Sequence, residues 1–319
     1  MTLVLALAAS GIVVQVGDRL VSEKGSFKAV DEIATKQLLY RAKDAIVSIA
    51  YAGQAMMAGV PTDEMMAAHL SGDANLGKRN SSDRFSFKSG GQNNNFWPLK
   101  HALGHLLRKL TSHLSVGSSL ELSIAGFTVA AGEAKPFIQT YKLYPDGKRK
   151  LERPPRNQNG VWLSAIGMLA PNLLESVLYA LEKEQPTADQ LSAFLTDQIR
   201  RFGGPGIGSN TSAISIPLGA PVVSEFFPLT PHKGAIVGGA KSIEFEAIHH
   251  PWIVGQQILK APTLGSGGDW HFHEDGLDVV LKGASAKGDG LLGAMGSVPR
   301  FPLAKTIGPN FSGMPPSAP

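Results

Sequence analysis

Thr2 is the residue of this sequence that best combines a nucleophile with a base. A small second residue permits removal of the initiator Met1, and Thr2 would then be the first residue of the mature chain. Its hydroxyl and its free α-amino group would share one residue. That amine has a reference pKa of about 7.7–8.0, so a useful fraction is neutral near pH 7 and can accept the hydroxyl proton. The sequence therefore predicts a terminal threonine nucleophile.

A β-hairpin must present this threonine. Large apolar residues alternate with smaller ones on both sides of Ser10-Gly11, over residues 3–18. A three-residue loop, with Gly11 in the left-handed conformation, would place Thr2 opposite Asp18. Opposed β-carbons lie roughly 4.5–5.5 Å apart, so the Asp18 carboxylate could orient the threonine or its protonated amine. A two-residue loop would shift this pairing by one residue.

An export signal is the alternative interpretation of the same stretch. Export signals begin with Lys or Arg, whereas the first basic residue here is Arg19, after the apolar run. Gln15 and Asp18 interrupt the run before it reaches the ~20 apolar residues of a spanning helix. The segment LALAAS does resemble a signal-peptidase site, but the alternation favours strands.

The opening TLVLALAASGIVVQVGDRLVS resembles the start of proteasome β-type subunits, which are N-terminal nucleophile hydrolases. Those chains begin with a threonine, run through a glycine-containing turn and reach an Asp-Arg pair about sixteen residues on. Thr2, Gly11, Asp18 and Arg19 stand at these places. The resemblance implies that the chain is a threonine-type amidohydrolase.

Two further site residues are implied by the same resemblance. The family has a lysine at the start of the next strand, which lowers the proton affinity of the amine and stabilises charge at the threonine oxygen. Lys36 in ATKQLLY is our assignment, two residues later than the family spacing, and Lys28 is the weaker candidate. The family's Ala-Gly strand end corresponds to SIAYAG, whose Gly53 N–H would help to form the oxyanion hole.

The resemblance covers roughly residues 2–220 and includes an Ala-Gly-aromatic motif at 125–127. Two positions depart from the family. Gly167-Met168 stands where the family has a Gly-Ser turn with a supporting serine, and GSNTSAIS offers Ser209 but no second supporting Asp. The last hundred residues have no counterpart in an ordinary β subunit, which places the chain nearer to bacterial proteasome-like proteins.

The predicted elements come in segregated runs of strands and helices, which favours an α+β layered architecture over alternating βαβ units. The resemblance implies a four-layer αββα sandwich of two antiparallel sheets flanked by helices. We divide the chain into a domain at 1–220, a β-rich extension at 221–285 and a Gly/Pro-rich flexible tail at 286–319. The polar segment 71–95 and the basic run KRKLERPPR at 148–156 are predicted to be surface loops.

Composition limits the partners and the chemistry. The 319 residues include no cysteine, which excludes disulfides, thiol catalysis and thiolate metal sites. The net charge of +4 is too mild to indicate nucleic-acid binding, and no segment predicts a membrane span. His271 and His273 have the spacing of two metal ligands, but a solvated or partner-facing strand is the better interpretation. We expect no cofactor, no metal and a cytoplasmic location.

Three functions are consistent with these residues. The first is a threonine hydrolase that cleaves amide bonds, in the first place peptide bonds, and works as a homo-oligomer because family members assemble into rings or larger assemblies. The second is a non-catalytic scaffold or interaction protein that keeps the fold; Gly167-Met168 and the missing second Asp favour it, and the long carboxy-terminal extension could be its binding element. The third is a small-molecule amidase with the same nucleophile.

Overall fold

Two seven-stranded β-sheets and four α-helices dominate the part of the chain that the computed structural model describes. That part comprises residues 2–22, 29–31, 34, 36–71, 96–154, 157, 160–168, 172–204, 206–227, 232–234, 243–245, 251–254, 257–260, 270–274, 277–282 and 286–287. It establishes an α+β protein with two largely antiparallel sheets.

The elements follow the chain in this order. The strands are β1 (Leu3–Ala9), β2 (Ile12–Asp18), β3 (Val21–Ser22), β4 (Ala29–Asp31), β5 (Gln37–Arg41), β6 (Ala45–Gly53), β7 (Met56–Met57), β8 (Val60–Pro61), β9 (Leu120–Ala130), β10 (Glu133–Leu143), β11 (Arg149–Glu152), β12 (Trp162–Gly167), β13 (Thr211–Pro217), β14 (Val222–Phe227), β15 (His232–Gly234), β16 (Ile243–Phe245), β17 (Pro251–Val254), β18 (Gln257–Lys260), β19 (Trp270–Glu274), β20 (Leu277–Lys282) and β21 (Ala286–Lys287). The helices are α1 (Thr62–Ser71), α2 (Leu99–Ser112), α3 (Leu173–Glu184) and α4 (Leu191–Phe202).

The amino-terminal hairpin lies inside the first sheet, whose strand order is β12-β1-β2-β13-β14-β20-β19. The second sheet has the order β11-β10-β9-β6-β5-β17-β18. Neighbouring strands are antiparallel except for two pairs, β14 with β20 and β17 with β5, which are parallel. Both parallel pairs bring strands from beyond residue 250 into the sheets.

The hairpin register differs from the prediction. Ala9 pairs with Ile12, so the loop holds two residues, and Gly11 is outside the left-handed conformation. The prediction of a three-residue loop was therefore wrong. Each residue of β1 lies opposite a residue of β2 one position away from the predicted partner. Val4 lies opposite Gly17, which brings Leu3 rather than Thr2 level with Asp18.

Alternation along β1 sends its side chains to opposite faces of the first sheet. Leu3, Leu5 and Leu7 are buried in a cluster with residues of α3 and α4. Ala6 and Ala8 pack instead in a cluster that includes Leu39 and Phe127 of the second sheet. Residues of α1 and α2 join a third cluster with β5, β6 and β9.

The helix starts follow from the sequence. Asp63 and Glu64 lie in the first turn of α1, where acidic side chains suit the positive end of the helix dipole. Pro98 precedes α2, whose first backbone N–H, that of Leu99, donates to the Asp44 carboxylate at 2.7 Å. None of the helices in the described part of the chain has the length and apolar content needed to cross a membrane.

One predicted loop is a strand. Residues 149–152 form β11, which pairs with β10 and is exposed, because its charged side chains remain solvated at the sheet edge. Strands from the predicted extension join both large sheets, and the domain boundary at 220 stays a prediction. The predicted loop beyond residue 71 and the tail from 288 onward lie outside the described residues, as do Met1, Lys28 and the side chains of His271 and His273.

Candidate active site

The Asp18 carboxylate, at the end of β2, is fully buried and holds the site together. Its Oδ1 accepts a hydrogen bond from the backbone N–H of Leu3 at 2.8 Å. Its Oδ2 accepts from the N–H groups of Leu20 at 3.1 Å and Gly208 at 3.0 Å. A carboxylate loses solvation on burial, and these donors replace the lost water. Asp18 thus contacts the backbone directly after Thr2.

Lys36 forms a buried ion pair with the Asp18 carboxylate. Its Nζ lies 3.0 Å from Asp18 Oδ2 and donates to the Leu20 carbonyl oxygen at 2.5 Å. Both side chains of the pair are at most 2% exposed. Burial this complete strengthens the Coulomb attraction, since water screens little of it. Lys36 is therefore joined through Asp18 to the backbone N–H of Leu3, the first residue of β1.

Thr2 is buried between the two sheets. Its carbonyl oxygen accepts from the Met168 N–H at 2.8 Å, which continues the ladder between β1 and β12. Val4, two residues on and so on the same strand face, packs against Ala52 of β6. A β-carbon on Gly167 would overlap the Thr2 carbonyl oxygen and lie 3.2 Å from the β-carbon of Ala52. Thr2 is therefore placed beside the end of β6.

Gly53 ends β6 with a φ of +111°. A β-carbon there would overlap the carbonyl oxygen of Ser119, so glycine is required. The Tyr51 N–H donates across to the Lys36 carbonyl oxygen at 3.0 Å. Because N–H groups two residues apart on a strand point to the same side, the Gly53 N–H points past the start of β5 on the side of Lys36.

Arg19 is buried beside this cluster and contacts several neighbouring segments. Its Nε donates to the Ala34 carbonyl oxygen at 3.3 Å, and its guanidinium lies 4.4 Å from the centroid of the Phe226 ring. Its backbone N–H donates to the Asn210 carbonyl oxygen at 2.9 Å. These contacts tie the end of β2 to the segment before β5 and to β14.

The structure also describes Met168 and Ser209, where the resemblance had implied supporting residues. Met168 follows Gly167 at the end of β12 and is half-buried. Ser209 is exposed, and its carbonyl oxygen accepts from Arg200 Nε of α4 at 3.0 Å. The loop around Ser209 nevertheless reaches the site, because the neighbouring Gly208 N–H binds Asp18.

Glu121 is a site neighbour that the sequence reasoning missed. One carboxylate oxygen accepts from the Gly167 N–H at 2.8 Å, and the other lies 2.8 Å from Lys142 Nζ. This hydrogen bond with Glu121 raises the pKa of Lys142. Glu121 joins β9 to β12 next to Thr2. Its position in LELSIAG carries no local signature, so only the pairing of the sheets reveals it.

Among the described residues, no group of three or more His, Asp or Glu side chains is arranged to hold a metal ion. The chemistry available at this end of the sheets is that of a threonine, a buried carboxylate, a buried ammonium and backbone N–H groups.

The chain is thus an α+β protein in which a threonine directly precedes the first strand and a buried Asp–Lys pair lies beside that end of the strand. No family model matches the chain, and no curated protein matches it either. Among solved structures, it is similar to the Anbu (Gly-1) mutant from Hyphomicrobium sp. strain MC1, with a TM-score of 0.41 and 12% identity. The match covers 68% of this chain and 83% of that one.

Proposed function

We propose that this chain is a threonine-type N-terminal nucleophile hydrolase that cleaves amide bonds, in the first place peptide bonds, after Met1 is removed. The observation that carries the proposal is the Asp18 carboxylate, which joins the backbone N–H next to Thr2 to the buried Lys36 ammonium. The four-layer αββα sandwich, the domain at 1–220, a cytoplasmic location and self-association belong to the same proposal.

In the proposed acylation, Thr2 Oγ attacks the carbonyl carbon of the amide while the neutral α-amine of Thr2 accepts the hydroxyl proton. The tetrahedral intermediate carries its negative charge on the former carbonyl oxygen. In this proposal the Gly53 N–H, at the end of β6, donates a hydrogen bond to this oxyanion. Collapse breaks the C–N bond, the ammonium returns its proton to the leaving amine, and an ester on Thr2 remains.

In the proposed deacylation, water attacks this ester and gives a proton to the same amine. Collapse of the second tetrahedral intermediate breaks the bond between the acyl carbon and Thr2 Oγ, releases the carboxylic acid and returns the proton to Thr2 Oγ. Lys36, held by Asp18, places a positive charge near both groups, which favours the neutral amine and the anionic oxygen. Asp18 keeps the lysine charged and oriented. Arg19, which contacts Ala34 and Phe226, supports the end of β2 in this proposal.

Intact mass measurement and covalent labelling test this function. The purified protein should lack the mass of Met1, and a peptide β-lactone should acylate one residue, Thr2. Thr2→Ala should abolish the labelling, whereas Thr2→Ser should keep part of it because serine retains the hydroxyl. A chain that retains Met1, or labelling that survives in Thr2→Ala, would contradict the proposal.

A non-catalytic scaffold is the second candidate function. Met168 supplies an apolar side chain where the family has a supporting serine. The segment around Ser209, which is exposed, offers no second supporting Asp. Removal of Met1 without β-lactone labelling, in a stably folded protein, would favour the scaffold. The small-molecule amidase is distinguished by labelling with a short acyl β-lactone but not with peptide probes.

A further inference from the structure

The side chain of Gln54, directly after Gly53, connects two loops at the end of the second sheet. Its Oε1 accepts hydrogen bonds from the Ser115 N–H at 3.1 Å and from Ser118 Oγ at 2.7 Å. Its Nε2 donates to the Met56 carbonyl oxygen at 2.7 Å. One amide thus joins the segment that follows β6 to the turn that precedes β9.

The backbone of Gln54 is held from the opposite side. Thr62 Oγ1, fully buried at the start of α1, donates to the Gln54 carbonyl oxygen at 2.7 Å. The Thr62 N–H donates to the Ala55 carbonyl oxygen at 2.9 Å. Gln54 is therefore fixed through both its side chain and its main chain, although it lies in a connecting segment rather than within a strand.

Ser119 explains why this arrangement matters for Gly53. The turn at 115–118 leads directly into Ser119, whose carbonyl oxygen packs against the α-carbon of Gly53 so closely that a β-carbon would overlap it. The orientation of Gly53 therefore depends on where that turn sits. Gln54 holds this turn by binding Ser115 and Ser118, next to the point where Gly53 pairs with Leu120 of β9.

We propose that Gln54 is a positioning residue that orients the Gly53 N–H toward the oxyanion of the Thr2 reaction. This inference rests on the proposed function. Its physical basis is that an oxyanion donor works only when it is already aligned with the developing charge. Gln54 itself touches the two loops and acts through Gly53.

The test compares Gln54→Met, which keeps the length of the side chain without its hydrogen bonds, with Gln54→Glu, which keeps the acceptor for Ser115 and Ser118. The probe is the peptide β-lactone, and the measured quantities are its maximal acylation rate constant and its half-saturating concentration. Loss of one oxyanion donor costs about 10²–10³ in rate, so misalignment in Gln54→Met should cost at least about tenfold. The half-saturating concentration should stay within about twofold, because ground-state binding is retained.

Gln54→Glu should recover much of the lost rate. The matched control is Gln190→Met, which removes an amide that binds the Thr187 N–H in another part of the fold, and it should acylate like the wild type. A wild-type rate in Gln54→Met would overturn the inference while leaving the proposed function intact. A wild-type protein that is not labelled at all overturns both. An equal loss in Gln54→Met and Gln54→Glu, with Gln190→Met at the wild-type rate, also overturns the inference, because the retained acceptor would then have no effect.

Discussion

Gly167 packs directly against Thr2: with a φ of +96°, it leaves no room for a β-carbon beside the Thr2 carbonyl oxygen. The glycine that precedes Met168 is thus required by the approach of the first strand. We expect Gly167→Ala to displace Thr2 and to abolish β-lactone labelling. It should also destabilise the fold by more than the ~1 kcal/mol that a left-handed conformation alone costs alanine.

The matched control for that variant is Gly132→Ala. Gly132 also has a positive φ, +82°, but open space where a β-carbon would lie. It should lose about 1 kcal/mol of unfolding free energy and keep full labelling. Urea unfolding and labelling of both variants separate the strain of the backbone from the contact with Thr2. Equal behaviour of the two alanine variants would contradict the explanation.

The buried Asp18–Lys36 pair predicts an asymmetric response to substitution. Asp18→Ala leaves three backbone N–H groups and the Lys36 ammonium without their shared acceptor, so it should cost about 3–5 kcal/mol of unfolding free energy. Lys36→Met should cost less, because Asp18 keeps its three N–H donors.

Both variants should lose β-lactone labelling. Urea unfolding gives the two free energies, and the double variant tests their coupling, which should exceed about 0.5 kcal/mol for residues in contact. Additive effects would show that the pair does not act as one unit.

Gln15 is the centre of a buried polar bridge between the sheets. Its Nε2 donates to the carbonyl oxygen and Oγ of Ser123, and its Oε1 accepts from Ser48 Oγ. Gln37 Nε2 donates to the Gln15 carbonyl oxygen. Gln15→Leu fills the space but leaves buried hydroxyls unsatisfied, so we expect a loss of about 2–4 kcal/mol in urea unfolding. Replacing Ser48 and Ser123 with Ala in the same chain should restore part of it, and no restoration would contradict this account.

The surroundings of His69 in α1 predict that the folded protein loses stability in acid. Burial, followed by the nearby His113, His105 and Lys109, lowers its pKa to about 4. The ring is stacked 5.6 Å from His113 and lies edge-on 6.3 Å from His105. Between pH 6.5 and pH 4 the unfolded chain therefore binds more protons at this position, and the unfolding free energy should fall as the pH falls.

The measurement is urea unfolding across that pH range, supported by an NMR titration of the His69 imidazole. His69→Gln should flatten the slope in this window, by at most one proton because a single group binds no more than one. Ser112→Ala, on the exposed face of α2, changes no titrating group and should keep the wild-type slope. A His69 imidazole that titrates near pH 6.5 would contradict the prediction.

Alternation predicted both strands of the amino-terminal hairpin, and the segregated runs of strands and helices predicted an α+β protein; the structure confirms both. The hairpin register was wrong because it depends on a single loop residue, and alternation is equally consistent with either loop length.

The long-range contacts at the site could not be predicted from the sequence. The resemblance led to Asp18 and Lys36, which the structure brings together. The Gly208 N–H reaches Asp18 across 190 positions of sequence, and Glu121 reaches Gly167 across 46. No local spacing encodes such contacts, because they depend on which strands become neighbours in the sheets.

The parallel pairing of β17 with β5 has a consequence for how the chain is made. Residues 252–254 pair with β5, the strand that begins directly after Lys36. On the ribosome β5 therefore has an open edge until residues 252–254 have been synthesised. A chain that stopped at residue 220 would lack β14 as well, and would expose one edge in each sheet. Such edges are templates for aggregation, so both sheets are expected to be protected only after the carboxy-terminal strands have been synthesised and paired.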